Sequence, residues 1–224
     1  MATLPQRGLT AGRIIDKTLG VLELNAIPAA LFVVALTALS VPVTWWGVGS
    51  MQPMKLLGGQ LLVAAAGVVC AYFLLIAVLR RTGLYARTDG DSFLPYIGLS
   101  VLAMLGVTAG LIVIILPGLF IMARWSIAQP LLVGGGRGVM AALGESWEKT
   151  KDREFQILGA WLALILLPVI VLIGARSLFG QEALAGIIIS QLASSTMSVV
   201  ILAWNVAIYG LIVGREAAAE PVAA

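Results

Sequence analysis

No charged residue interrupts the chain between Lys55 and Arg80, or between Asp91 and Arg124. Runs of this length match the roughly 20 residues that carry a helix across the hydrocarbon core of a bilayer. Hydrocarbon offers no hydrogen-bond partners, so each backbone N–H and C=O in such a run must be satisfied within its own segment, which an α-helix does. The same character holds over most of the 224 residues, of which 60% are hydrophobic and 11% charged. Soluble domains carry about 25% charged residues. The expected fold is therefore all-α: one polytopic transmembrane helical bundle over 1–224, with no room for a second soluble domain.

Two segments differ from the spans. In the first, at about 10–24, Ala11, Ile15, Leu19 and Leu22 form a stripe, with Arg13, Asp16, Lys17 and Glu23 away from it. In the second, at about 137–155, Val139, Met140, Leu143 and Trp147 form a stripe, and Glu145 with Lys149 and Glu148 with Lys151 have the spacing of helix-surface ion pairs. Both read as amphipathic in-plane helices at the membrane surface. The spans fall at about 26–49, 56–79, 96–116, 119–133, 157–175 and 183–213. The fifth is expected to bend or stop near Pro168, and Asp89-Gly90-Asp91 to form a turn.

The number of spans depends on whether Pro117-Gly118 turns the chain back or only kinks one long helix. Cytoplasmic loops carry the excess of Lys and Arg. With a turn there are six spans. Arg7, Arg13 and Lys17, Arg80, Arg81 and Arg87, Arg137, Lys149, Lys151 and Arg153, and Arg215 then share one side, with Lys55 and Arg176 alone on the other. A kink would spread the basic residues almost evenly. Six spans are therefore expected, with both termini and both surface helices cytoplasmic. Span four, 119–133, is short enough to be re-entrant.

The residue inventory removes several chemistries. Histidine is absent, so no Ser-His pair, His-Glu metal helix or imidazole relay can be built. Cys70 is the single cysteine, inside an apolar run, and reads as packing. The aspartates and glutamates fall in surface segments, so no carboxylate is expected at membrane depth. No enzyme, metal or cofactor is expected.

Arg124 is the exception, a charge inside an apolar span, which marks function or a buried partner, or snorkels to a nearby end of the short span. The carbonyl of Ser126, freed because Pro130 has no N–H, is one partner within reach. Gln191, Ser194 with Ser195, Ser198, Asn205 and Tyr209 recur at helical spacing in the last span. They read either as interhelical hydrogen bonding or, with Arg124, as the lining of a path for a small solute. At the surface, Arg13, Lys17, Trp147, Lys149, Lys151 and Arg153 are the candidates for contact with anionic headgroups or a partner protein. Gly106 to Gly110 is a small-xxx-small spacing that serves internal packing and homo-oligomers equally. Nothing in the basic clusters resembles a nucleic-acid surface.

Leu116-Pro117-Gly118, Arg124, Ala128, Pro130, Ala142-Leu143, Ser146-Trp147 and Thr150 together resemble the pattern of the YciC-like bacterial inner-membrane proteins, a family related to the membrane domain of some glycerophosphodiester phosphodiesterases. The resemblance spans about residues 114–160. It implies a polytopic helical protein of the bacterial inner membrane. Family members often carry an acidic residue where this chain has Gly134 to Gly136, so a role tied to that acid does not transfer. Nor does the phosphodiesterase activity, which belongs to a separate soluble domain. The role expected from residues and resemblance together is non-enzymatic organisation of lipid or partner proteins at the cytoplasmic face, with solute transport as the alternative.

Overall fold

A computed structural model describes residues 9–48, 53–87, 92–113, 115–180 and 183–219. The turns expected at 50–55 and 89–91 lie wholly or partly outside these residues. Among the described residues every regular element is a helix, and six helical stretches are long and apolar enough to cross a membrane. This is the architecture of a multi-pass membrane protein.

The first helix, α1 (Ala11–Leu24), is capped by the Thr10 hydroxyl, which accepts from the Arg13 N–H. It buries Ile14, Thr18 and Val21 against the later helices α8 (Glu154–Phe179) and α9 (Leu184–Ala219). The buried Thr18 hydroxyl is satisfied locally by the Ile14 carbonyl at 2.7 Å. Asn25 then breaks the helix. Its side-chain amide donates to the Val21 carbonyl at 2.8 Å, and α2 (Ala26–Val48) starts at the next residue.

Three antiparallel hairpins follow. In the first, α2 packs on α3 (Pro53–Arg81), with Val43 against Gly59 and Leu36 against Gly67. In the second, α4 (Phe93–Val113) packs on α5 (Ile115–Arg124). Here Gly106 lies under the Trp125 ring, and a Cβ on Gly110 would stand 2.8 Å from the Gly118 Cα. α4 ends at Val113 and α5 begins at Ile115, so Pro117-Gly118 lies within α5 rather than between the two helices. Pro117 occupies the first turn of α5, where its missing N–H has no intrahelical partner to lose. The third hairpin is α8 with α9, where Phe179 meets Gly186. α8 continues through Pro168, so the helix does not stop there. Neighbouring groups satisfy the backbone around a proline in membrane helices.

Span four is α5 followed by the short α6 (Ala128–Val133), with a break at 125–127. Its stretch Leu116–Val133 is 56% buried, against 11% for Phe93–Gly110 and for Glu154–Phe179. Ile127, Leu131, Leu132 and Val133 reach the centre of the core beside Leu75, Leu79, Trp204 and Ile208. The short span and α9, whose Leu184–Gly214 stretch is 50% buried, are thus the two inner elements. The amphipathic α7 (Val139–Lys149) comes next. It is shorter than the expected 137–155, and residues 154–156 belong to the first turn of α8 instead.

Several contacts tie one end of the bundle together. Leu84 sits against Gly210 and Gly134, the Ala86 N–H donates to the Gly134 carbonyl at 3.0 Å, and Ala11 meets Gly159. Arg81 reaches the Leu24 carbonyl and Arg87 the Leu132 carbonyl. α1, the end of α3, the start of α8 and the Gly210 region of α9 therefore lie at one end, and α7 leads into that start of α8.

Candidate functional site

The break in span four generates a concentrated polar site. Pro130 has no N–H to offer Ser126, and the helix tightens ahead of it: the Ala128 N–H donates to the Trp125 carbonyl at 3.1 Å rather than to Arg124. The Arg124 carbonyl is thereby released. Two hydroxyls from the α7 segment approach it, Ser146 Oγ at 2.7 Å and Thr150 Oγ1 at 3.1 Å, the latter shared with the Ser146 carbonyl at 2.8 Å. Both residues are fully buried.

The Arg124 side chain closes the same site from the other direction. Its Nη2 pairs with Glu154 Oε1 at 2.7 Å, and its Nη1 donates to the Trp147 carbonyl at 2.9 Å. The guanidinium carbon lies 5.0 Å from the Phe120 ring centre and 5.1 Å from that of Trp147, within cation–π range. Glu154 Oε1 also accepts from the Asp152 N–H at 3.3 Å, where Asp152 takes the left-handed φ of 62°. Helix dipoles favour the arrangement, since a cation sits at the C-terminal ends of α5 and α7 and an anion at the N-terminal turn of α8. The result is a latch joining span four, α7 and span five through one residue.

This placement corrects the expected partner of Arg124, which is the Trp147 carbonyl and Glu154 rather than Ser126. Glu154 is also not the surface carboxylate its segment suggested, since its side chain is only 10% exposed. Glu154 was missed because it stands at the junction of a charged and an apolar segment. A signal for it exists: it is the acidic residue that opens an apolar span while a neighbouring span carries an unexplained arginine. Arg124, Ser146, Trp147 and Thr150, four of the residues that carry the family resemblance, meet at this one point.

The stripe on α9 lies elsewhere. Gln191 Nε2 donates to Thr44 Oγ1 at 2.9 Å, the Thr37 hydroxyl donates to Ser195 Oγ at 3.4 Å, and Ser198 Oγ donates to the Ser194 carbonyl at 3.1 Å. Gln191 and Ser195 thus face α2, whereas Arg124 faces α7 and α8. Farther along α9, Tyr209 has its hydroxyl close to Gly135, and the Asn205 Oδ1 is buried with no hydrogen-bond partner among the described residues.

Of the surface candidates, Lys17, Lys151 and Arg153 are exposed and Arg13 is half-buried. Lys149 stands 3.8 Å from Glu145, which also pairs with Arg137 at 2.8 Å. Lys151 lies beyond the end of α7, where the helical spacing to Glu148 no longer applies. Trp147 belongs to the latch, its ring edge-on to Phe120 at 5.8 Å. Comparison with known protein families, curated proteins and solved structures finds no match for this chain.

Proposed function

We propose that this chain is a non-catalytic protein of the bacterial inner membrane, with both termini cytoplasmic, whose α1/α7 end gathers anionic lipid headgroups. The observation that carries this reading is the collection of exposed basic residues at one end of six spans. Lys17, Arg80, Arg81, Lys151 and Arg153 are exposed; α1 packs on α8, whose start follows Lys151 and Arg153, and Arg81 at the end of α3 reaches the Leu24 carbonyl at the end of α1. Large apolar residues stand exposed beside them, among them Leu24 at 54%, Met140 at 76% and Phe155 at 87%. Basic side chains next to exposed apolar ones suit the boundary between headgroups and acyl chains.

Each basic residue held near an anionic leaflet contributes about 1 kcal/mol. Lys17, Lys151 and Arg153 together are then worth about 3 kcal/mol, or roughly a hundredfold in affinity. The latch fits this role as the device that fixes α7 and the 150–153 turn against the bundle, so that Lys151 and Arg153 keep a set position. The resemblance to the YciC-like family belongs to the same proposal. A transport role is the weaker reading, because the Arg124 guanidinium is taken up by Glu154 and Trp147 and does not face the α9 stripe.

The test is retention of phosphatidylglycerol and cardiolipin by the purified protein, measured by native mass spectrometry. Substituting Lys17, Lys151 and Arg153 together by Gln is expected to remove most bound anionic lipid at unchanged thermal stability. Equal retention by the variant would end the lipid reading and turn the search to a protein partner for the same surface.

A further inference from the structure

A pocket of about 150 Å³ lies between α2, α3 and α9, in the half of the bundle away from α1 and α7. Ser40, Val63, Gln191, Ser194, Ser195 and Ser198 line it, with Leu36. Gln191 is roughly 10 Å and Ser198 roughly 21 Å along α9 from its start, so the site lies at membrane depth. Its polar walls are partly used. Gln191 spends an amide N–H on Thr44, Ser198 its hydroxyl on the Ser194 carbonyl, and Ser40 its hydroxyl on the Thr37 carbonyl. The Gln191 Oε1 and the Ser194 Oγ have no protein partner among the described residues. Hydrocarbon cannot supply one, so an occupant with hydrogen-bonding groups is favoured there.

The lining defines the chemistry of that occupant. None of the lining side chains is charged, so an ion would be desolvated without compensation. An amide oxygen and a hydroxyl sit beside the apolar Leu36 and Val63, which matches a small neutral skeleton with adjacent oxygens. The volume is that of a site able to hold a benzene-sized molecule. Ser198 is exposed at the rim, leaving the pocket open to entry from the lipid side.

We propose that this pocket binds the glycerol unit of a neutral compound, one hydroxyl donating to Gln191 Oε1 and a second oxygen, hydroxyl or ester, accepting from Ser194 Oγ. The unit belongs either to a diacylglycerol-type lipid or to free glycerol, and the two sources are separable. The probes are radiolabelled dioctanoylglycerol and radiolabelled glycerol, each titrated against the full chain in phosphatidylcholine nanodiscs. Saturable binding of the first identifies a lipid site and of the second a polyol site.

Ser194→Ala removes one hydroxyl and is expected to weaken binding about fivefold. Ser194→Leu fills the pocket and is expected to abolish it. Tryptophan fluorescence melting checks the fold of both, and if Ser194→Leu fails to fold, the Ser194→Ala affinity decides. Absence of saturable binding for both probes, or binding unchanged in a folded Ser194 variant, overturns the proposal.

Discussion

Replacing Glu154 by Gln removes a charge and almost no volume from the latch. The Arg124 side chain is 9% exposed and that of Glu154 10%, so solvent does little to stabilise the guanidinium once its counter-charge is gone. Removing one partner of a buried ion pair costs about 3–5 kcal/mol, because the remaining charge is left uncompensated. The Gln amide oxygen still accepts from Nη2, and the Trp147 carbonyl and two rings remain, which places Glu154→Gln at the low end, about 3 kcal/mol. For a chain of this length that lowers Tm by about 6–12 °C. Melting in detergent micelles followed by tryptophan fluorescence reads it, together with Arg124→Gln and the double variant. Removing both charges at once leaves neither uncompensated, so the double variant should be less destabilised than the sum of the singles by about 2 kcal/mol. Additive effects, or a Glu154→Gln shift of about 1 °C, would refute the latch as an energetic unit.

Three other outcomes follow from the geometry, each read by the same melting experiment. Ser146→Ala and Thr150→Val should each cost about 1 kcal/mol, and together more than their sum, because only the double variant leaves the buried Arg124 carbonyl without a donor. Gly110→Ala should cost about 1–3 kcal/mol by driving α4 and α5 apart at Gly118, whereas Gly98→Ala, which meets nothing within 4 Å, should stabilise by about 0.5–1 kcal/mol. Gly136→Ala should cost about 1–2 kcal/mol, since Gly136 holds the left-handed φ of 68°.

What could be read from the sequence divides along physical lines. Hydropathy and charge are summed locally, so the six long apolar stretches and the amphipathic stripes of α1 and α7 stand out from residue type and spacing alone. The small spacing at Gly106 and Gly110 identified a close helix approach, since nothing larger than hydrogen fits against Trp125 or Gly118. Proline was a poorer guide. Pro117 sits inside the first turn of α5, where no intrahelical partner was waiting for its N–H, whereas Pro168 lies in the interior of α8 and the helix continues past it although the Leu164 carbonyl loses its usual donor. At Pro130 the break is real. Its consequence, the freed Arg124 carbonyl taken by Ser146 and Thr150, depends on α7 folding back across the chain. No local rule brings Arg124 and Glu154 together across the intervening α6 and α7. The charge at depth was visible, and its partner was not.

The orientation of the α1/α7 end bears on the account most directly, because a basic surface that gathers anionic lipid must face the cytoplasmic leaflet. Single cysteines at Lys151 and at Ser177, in a Cys70→Ser background, can be challenged with a membrane-impermeant maleimide on spheroplasts. The account predicts labelling of Ser177→Cys in intact spheroplasts and of Lys151→Cys only after permeabilisation. Labelling of Lys151→Cys from outside an intact membrane would contradict it.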